Sequence, residues 1–478
     1  MSSQLTAPAA IVLAAGLGTR MRSRIPKVLH PLAGRPMLDH VLDALATAGI
    51  PRPVIVVGHG VEAVEQAVAT RAVTARQEPQ RGTADAVRIG LDATPDEAEV
   101  VLVTMGDAPL QRPELFAALI EEQRASGAAV VLVSARMASP DGYGRIVRGA
   151  GGEARAIVEE RDADDATRAI DEINVGTYAF DGRWLREAIN RVEASSSGEY
   201  YLTDLVAIAI GDGRAVGAIV VDDAADAIGI NDRIALADAE ERMRRRIAER
   251  HMRNGVTIVD PATTRIDAGV EIGQDARIET WTILEGATVI AQDAVIGPNA
   301  NVRDSRIGPR TRVWSSVVEE STVAEDVQIG PFAHLRPGSE VGARCRIGNF
   351  AEIKKSRLGA GTQQHHFSYL GDAEIGANVN VGAGSVTANF DGTEKHRTVI
   401  GDSVSLGVDT MLVAPLTIGE GATTGAGSVV TRDVAAGKTV VGVPARPIEL
   451  KRHSQPPADA GSPSADEAPV PTGADRKP

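Results

Sequence analysis

From residue 263 to 435 an aliphatic side chain recurs at every sixth position: Ile266, Ile272, Ile278, Leu284, Ile290, Ile296 and Val302, with short polar or Gly-containing spacers between them. A period of six matches neither the 3.6 of a helix nor the 2 of a simple strand. After one shortened step at Ile307 the count resumes with Val323, Ile329, Leu335, Val341, Ile347 and Ile353, and it returns at Ile400, Leu406, Leu412, Ile418 and Val430. One inward side chain per side of a three-sided coil predicts a parallel β-helix with roughly 18 residues per turn, stacked because a single coil cannot bury its own apolar edge. At about 18 residues per coil the stretch makes about nine to ten coils, and at about 4.8 Å per coil a prism about 45 Å long. Two polar stretches break the ladder: TQQHHFSYLGD between Leu358 and Ile375, and TANFDGTEKHRTV between Val386 and Ile400. Both read as insertions, which on a solenoid become loops on a binding face.

Residues 9 to about 225 follow a different pattern. Short aliphatic runs (AAIVLAA, PVIVVG, EVVLVTMGD, AAVVLVS, AVGAIVV) alternate with amphipathic stretches (MLDHVLDALATAG, GVEAVEQAVAT, RPELFAALIEEQRASG). Buried strands alternating with covering helices predict a mostly parallel α/β sheet, whose ligands bind beyond the carboxyl ends of the strands. NDRIALADAEERMRRRIAERHMR has no Gly or Pro and reads as one long connecting helix. The expected division is therefore 1–230, a linker helix 231–254, the solenoid 255–451, and a Pro-, Ala- and acid-rich tail 452–478 too polar to order itself.

Composition narrows the partners. Lys and Arg number 50 against 64 Asp and Glu, a net charge of −14 with no basic block, so no nucleic-acid partner is expected. Aromatics are only 3%, which suits thin coils filled by Val, Ile, Leu and Ala. A single cysteine, Cys345, precludes an intrachain disulfide and fits the reducing cytoplasm; its expected place is a core or turn. No apolar run is long enough for a bilayer, and MSSQLTAP ahead of AAIVLAAG carries no Lys or Arg, so that segment reads as a buried strand rather than a signal peptide.

The first strand runs into LAAGLGTRM. Gly16 and Gly18 expose backbone amides at a strand-to-helix turn, an anion cradle. Met21 replaces the third Gly of a dinucleotide fingerprint, and no Gly-Lys-Ser/Thr follows. Arg20 and then Lys27 add two cations close behind the turn, as a triphosphate requires. VVLVTMGD ends in Asp107, which is either a ligand for a hard divalent cation completed by substrate phosphates or a cap for the next helix.

These and further segments, LAAGLGTRM, PKVLHPLAG, QEPQRGTADA, GDAPL, DGYGRI, IVEERDA, EINVGTYAF, GEYYLTD and GINDR, resemble the sugar-phosphate nucleotidyltransferases in order. The ladder carries GPFAHLRPG, GNFAEIKKSRLG, HHFSYLGDAEIGANVNVGAG and ANFDGTEK, and over residues 10 to 450 the chain is most similar to the bifunctional GlmU family. The resemblance implies a Rossmann-like nucleotidyltransferase domain followed by a left-handed parallel β-helix. It implies uridylyl transfer from UTP to N-acetylglucosamine-1-phosphate and acetyl transfer from acetyl-CoA to glucosamine-1-phosphate, with Mg²⁺ as cofactor, a homotrimeric assembly, and no membrane partner. By the same resemblance Arg20 and Lys27 contact phosphates; Leu13, Ala14, Gly16, Gln77, Gly82 and Thr83 hold the nucleotide; Asp107 and Asn231 hold Mg²⁺; Gly142, Glu159 and Asn174 hold the sugar. Ala84 and Met105 depart from the family pattern beside the uracil.

Acetyl transfer needs a base near neutral pKa and donors for the thioester oxygen. His366 is the natural base; His365 competes, and a metal pair lacks a carboxylate companion. The resemblance places glucosamine-1-phosphate on Arg336, Lys354, Tyr369, Asn380 and Asn389, and acetyl-CoA on Ala383, Lys395, Val408, Ala426 and Arg446. Val408 stands where the family commonly has Ser, and Arg446 stands in for its terminal Arg. The rival reading is a one-reaction nucleotidyltransferase with a regulatory or oligomerising solenoid; a purely structural solenoid leaves the phosphate motifs unexplained.

Overall fold

The computed structural model describes residues 7–196 and 198–448; the tail expected from residue 452 lies outside them. The N-terminal sheet runs in the order Val216–Val221, Val130–Arg136, Glu172–Asp181, Val100–Met105, Ala9–Ala14, Val54–Val57, Val73–Arg76. Along this path all neighbours are parallel except Glu172–Asp181, which is antiparallel to both of its flanking strands; off the path, Arg145–Arg148 pairs antiparallel with both Glu172–Asp181 and Ala154–Val158, completing nine strands. The five apolar runs of the sequence are five of these strands, and the three amphipathic stretches are the helices Met37–Thr47, Val61–Val68 and Pro113–Ser126. Four of the nine strands escape the pattern reading: Val73–Arg76 lies at the sheet edge with no fully buried residue, Glu172–Asp181 carries a bulge between Asn174 and Tyr178, and Arg145–Arg148 and Ala154–Val158 are short and carry Arg among their apolar residues. Helix Pro113–Ser126 has Arg112 at its N-cap, so Asp107 is not its cap.

Residues 257–448 form a three-sided prism of mostly parallel strands, the left-handed β-helix of hexapeptide repeats. The first face has 12 strands, starting at Thr257–Ile258 and ending in one antiparallel strand, Arg446–Ile448; the second has 10 and the third 9. Ladder residues stack inward in register, for example Ile278 on Ile296 and Leu335 on Ile353, and are buried as a single cluster that includes Cys345.

The structure corrects the ladder in two respects. Five-residue steps occur at Val318, Val323, Leu358 and Ile375 as well as at Ile307, and each partner still stacks (Val302 on Val318, Ile307 on Val323, Val341 on Leu358, Leu358 on Ile375). A corner can lose one residue without turning the strand over, because the strand itself keeps its two-residue alternation. The first polar break is not an insertion: Gln363–Gln364 and Ser368–Gly371 pair with the coil above, Gln364 under Ile347 and Leu370 under Ile353. The second break does leave the prism, as a loop between Val386–Ala388 and Thr398–Ile400. Within it Asp391 accepts hydrogen bonds from the amides of Thr393 and Glu394 (2.8 and 2.7 Å) and contacts His396 Nε2 at 2.6 Å.

Helix Arg233–Arg253 joins the two halves, capped by the Asp232 carboxylate on the amides of Ile234 and Ala235. A hairpin of the first half, Pro31–Leu32 with Arg35–Pro36, reaches onto the prism: Ala33 O accepts from Ala268 N (2.9 Å), and Ala33 N donates to Glu240 on the helix (2.8 Å).

Candidate functional sites

A cavity of about 800 Å³ opens at the carboxyl ends of Ala9–Ala14 and Val100–Met105. Leu13, Ala14, Gly16, Arg20, Lys27, Gln77, Gly82, Thr83, Asp107, Gly142, Glu159 and Asn231 all line it. Residues more than two hundred positions apart meet here because Ile230 N donates to Asp107 O (2.8 Å), clipping the start of the linker helix to the end of a central strand. The Lys27 ammonium lies between the Asp107 carboxylate and Asn231 Oδ1, the latter at 3.1 Å. Two oxygen donors from distant segments thus converge on a single positive charge.

Gly82 begins helix Thr83–Asp92 at φ 110°, and a Cβ there would lie 2.5 Å from Tyr200 O, so no other residue fits without displacing backbone. Gln77 Nε2 donates to Gly82 O and Asp85 (3.0 Å each), holding that turn against the cavity. Ala84 is buried directly behind it. Burial pushes the Glu159 carboxyl above the usual range, opposed by a hydrogen bond from Thr203 Oγ1 at 3.0 Å. Asn174 does not line the cavity: its side chain pairs with Tyr178 Oη (2.7 Å) and accepts from Gly176 N. Met105 lines the wall, and Gln80, Glu160, Arg161, Glu199 and Tyr201 join it without having been singled out from the sequence. All five stand in or directly beside motifs quoted above, which is the signal that could have found them.

On the prism, the strands His334–Leu335, Ala351–Lys354 and Ser368–Gly371 lie side by side on the second face, with their inward residues Leu335, Ile353 and Leu370. Period two then turns Arg336, Glu352, Lys354 and Tyr369 outward together. Arg336 pairs with Glu352 at 2.8 Å. The outward loop brings Lys395 against Lys354, and a side-chain hydrogen bond with Lys395, reinforced by its like charge, holds the Lys354 ammonium below the usual lysine range. Asn389, at the root of the loop, is buried and donates to Asp372 at 2.5 Å.

His366 is exposed, at the corner where the first face turns into the second, in an open concavity of about 510 Å³ with Asn349, Phe350, His365 and Phe367. The same corner carries Ala383, Val408 and Ala426 in the next three coils, aligned by Gly384 N to Phe367 O (2.7 Å), Asp409 N to Ala383 O (2.6 Å) and Gly427 N to Val408 O (2.8 Å). Asn380 stands apart from the Arg336 cluster, exposed on the first face between Gln363 and Ser405. Arg446 is exposed on the terminal strand. Among the described residues no group of three or more His, Cys, Asp or Glu could hold a metal by itself, and no helix is long and apolar enough to cross a membrane.

Comparison with known proteins gives the following. Residues 10–173 match the MobA-like NTP transferase domain, and residues 320–355 match the bacterial transferase hexapeptide (six repeats). A protein of Geobacillus thermodenitrificans named bifunctional protein GlmU is 46% identical, over 91% of this chain and 95% of its own. Proteins of the same name from Thermobifida fusca (46%, 95% and 96%) and Exiguobacterium sibiricum (46%, 89% and 95%) are similar to the same extent.

Proposed function

This chain belongs to the bifunctional GlmU family and is an enzyme with a nucleotidyltransferase half and a hexapeptide acyltransferase half, and we propose that it acetylates glucosamine-1-phosphate from acetyl-CoA and then couples N-acetylglucosamine-1-phosphate to UTP. The observation that carries the second step is the single cavity in which Arg20 and Lys27 meet Asp107 and Asn231 beyond the strand ends. The reaction forms a bond from the sugar-phosphate oxygen to the α-phosphorus and breaks the bond to pyrophosphate. Arg20 and Lys27 neutralise the phosphate charge that grows during this exchange, so the step needs no general base. Asp107 and Asn231 suit a Mg²⁺ ion, because two hard oxygen donors that already share one cation leave the other positions to phosphate oxygens. Mg²⁺ bound there supplies further charge neutralisation. Gln77, Gly82 and Thr83 hold the uracil, and Gly142 and Glu159, with Asn174 behind them, the sugar.

In the acetyl-transferring half, the amine of the sugar attacks the thioester carbonyl: a C–N bond forms, the C–S bond breaks, the amine proton passes to His366, and the CoA sulfur leaves as thiolate to be protonated. Arg336, Lys354 and Tyr369 hold the sugar phosphate, helped by Asn389, while the corner row Ala383, Val408 and Ala426 lies along acetyl-CoA with Lys395 and Arg446. Asn380 faces away from that cluster, so a second chain's first face must supply it. This is the support for a trimer of side-by-side prisms, and sedimentation at a mass of three 49.9 kDa chains is its test. One cysteine and no disulfide support a cytoplasmic place.

Two assays on one preparation test the whole reading: pyrophosphate release with UTP and N-acetylglucosamine-1-phosphate, and CoA release with acetyl-CoA and glucosamine-1-phosphate. His366→Ala is expected to abolish CoA release and spare pyrophosphate release, and Asp107→Asn the reverse. Pyrophosphate release alone from the parent would reduce the solenoid to a regulatory or oligomerising part.

A further inference from the structure

The prism supplies its own control for the coil that carries His366, because every coil turns the same corner. The inward side chain on the first face just before that corner is Ile278, Ile296, Val313, Ile329, Ile347, Val381, Leu406 or Thr424, and at one level Gln364. The residue entering the corner is Gly297, Gly330, Gly348, Gly382, Gly407 or Gly425 in most coils, but His365 here. Trp281, Asn299, Phe332, Phe350, Gly384, Asp409 and Gly427 take left-handed backbone at this corner, whereas Phe367 does not. Of these coils, the buried amide and the loss of left-handed backbone fall on this one alone, and a non-glycine entry is shared only with Glu279 and Trp314.

Gln364 is fully buried among aliphatic neighbours. Its Nε2 donates to Ser368 Oγ at 2.9 Å, Ser368 Oγ donates to His366 O at 2.9 Å, and Oε1 finds no hydrogen-bond partner. The serine-to-carbonyl bond is ordinary in this prism, recurring at Ser316 and Ser356. The amide is not. An aliphatic side chain would fill the position without desolvating a polar group, yet the amide bridges the corner from inside, from the residue before His365 to the residue after Phe367.

We propose that Gln364 is a positioning residue for acetyl transfer, holding through Ser368 the corner backbone that presents His366 to the thioester. This rests on His366 being the base. The test uses the full chain and three variants: Gln364→Leu, Ser368→Ala and His366→Ala. Gln364→Leu is expected to lower kcat for CoA release about ten-fold, the order of loss that a small misplacement of a reacting group produces. KM for both substrates stays within about two-fold, pyrophosphate release is unchanged, and the urea midpoint does not fall. A merely structural glutamine would lower the midpoint and leave kcat alone, and a parental kcat in Gln364→Leu overturns the proposal. Should that variant fail to fold, as judged by lost pyrophosphate release, Ser368→Ala decides in its place: the same fall in kcat supports the proposal and a parental kcat overturns it. His366→Ala separates the two layers. If it still releases CoA at the parental rate, the base assignment falls and this inference with it; if it is inactive while Gln364→Leu is parental, only this inference falls.

Discussion

Lys27 shows how much of one side chain's role depends on what surrounds it. Its ammonium has two oxygen partners from segments on either side of the cavity, Asp107 and Asn231. Lys27→Met keeps the bulk and removes the charge, and loss of one preorganised donor to a developing anion typically costs about 100-fold or more. A fall of that size in kcat for pyrophosphate release, with CoA release unchanged, is the expected outcome. Gln364 teaches the converse at the same scale. Its unpartnered Oε1 costs about 1–3 kcal/mol, so Gln364→Leu is expected to raise unfolding stability by about that amount in urea titrations even as acetyl transfer slows.

Among the elements, the linker helix has consequences at both ends. At its start, Asp232 caps two amides directly after Asn231; Asp232→Ala should cost about 0.5–2 kcal/mol by the usual weight of an N-cap, read by urea unfolding, and should slow pyrophosphate release more than CoA release. At its end, His251 is buried with Nε2 unpartnered, and burial, reinforced by Arg250, pushes its imidazole down to about 4. The unfolded chain therefore binds a proton near pH 6.5 that the folded chain refuses until about pH 4. Stability is held above this window and lost as pH falls through it, by up to ~1.4 kcal/mol per pH unit. Unfolding midpoints measured from pH 7 to pH 4 should fall in the parent and fall less in His251→Leu. In the prism, each rung packs only against the coil above and below; Ile353→Ala should cost about 2–5 kcal/mol, again by urea titration.

For the whole molecule, the hairpin at Ala33 and Gly34 matters because it follows Lys27 closely in the chain and ends on the prism and the linker helix. Gly34 has φ 79°, and a Cβ there would lie 2.2 Å from Asp267 Oδ2. Gly34→Ala is expected to pry this contact open at a cost of about 1–3 kcal/mol, lowering the thermal midpoint and pyrophosphate release together. Unchanged values of both would mean that the two halves do not brace each other through the hairpin.

The chain by itself determined five strands of the N-terminal sheet, three of its helices, the linker helix and the six-residue ladder, because burial of a repeating element writes its period directly into the order of apolar residues. It also carried the chemistry-bearing motifs, since Gly16, Arg20, Lys27 and Asp107 lie within or just beyond single strand-to-helix turns. What it left open had no local signature. Gln364 reads as a break in the ladder, and only stacking under Ile347, with a serine within reach, turns a polar side chain into a rung. The meeting of Lys27 with Asn231, the separation of Asn380 from Arg336 onto different faces, and the seat of the hairpin on the first coils were likewise decided by tertiary structure. The physical reason is that packing and long-range hydrogen bonds depend on which distant segments are brought within a few ångströms, a quantity that sequence spacing does not contain.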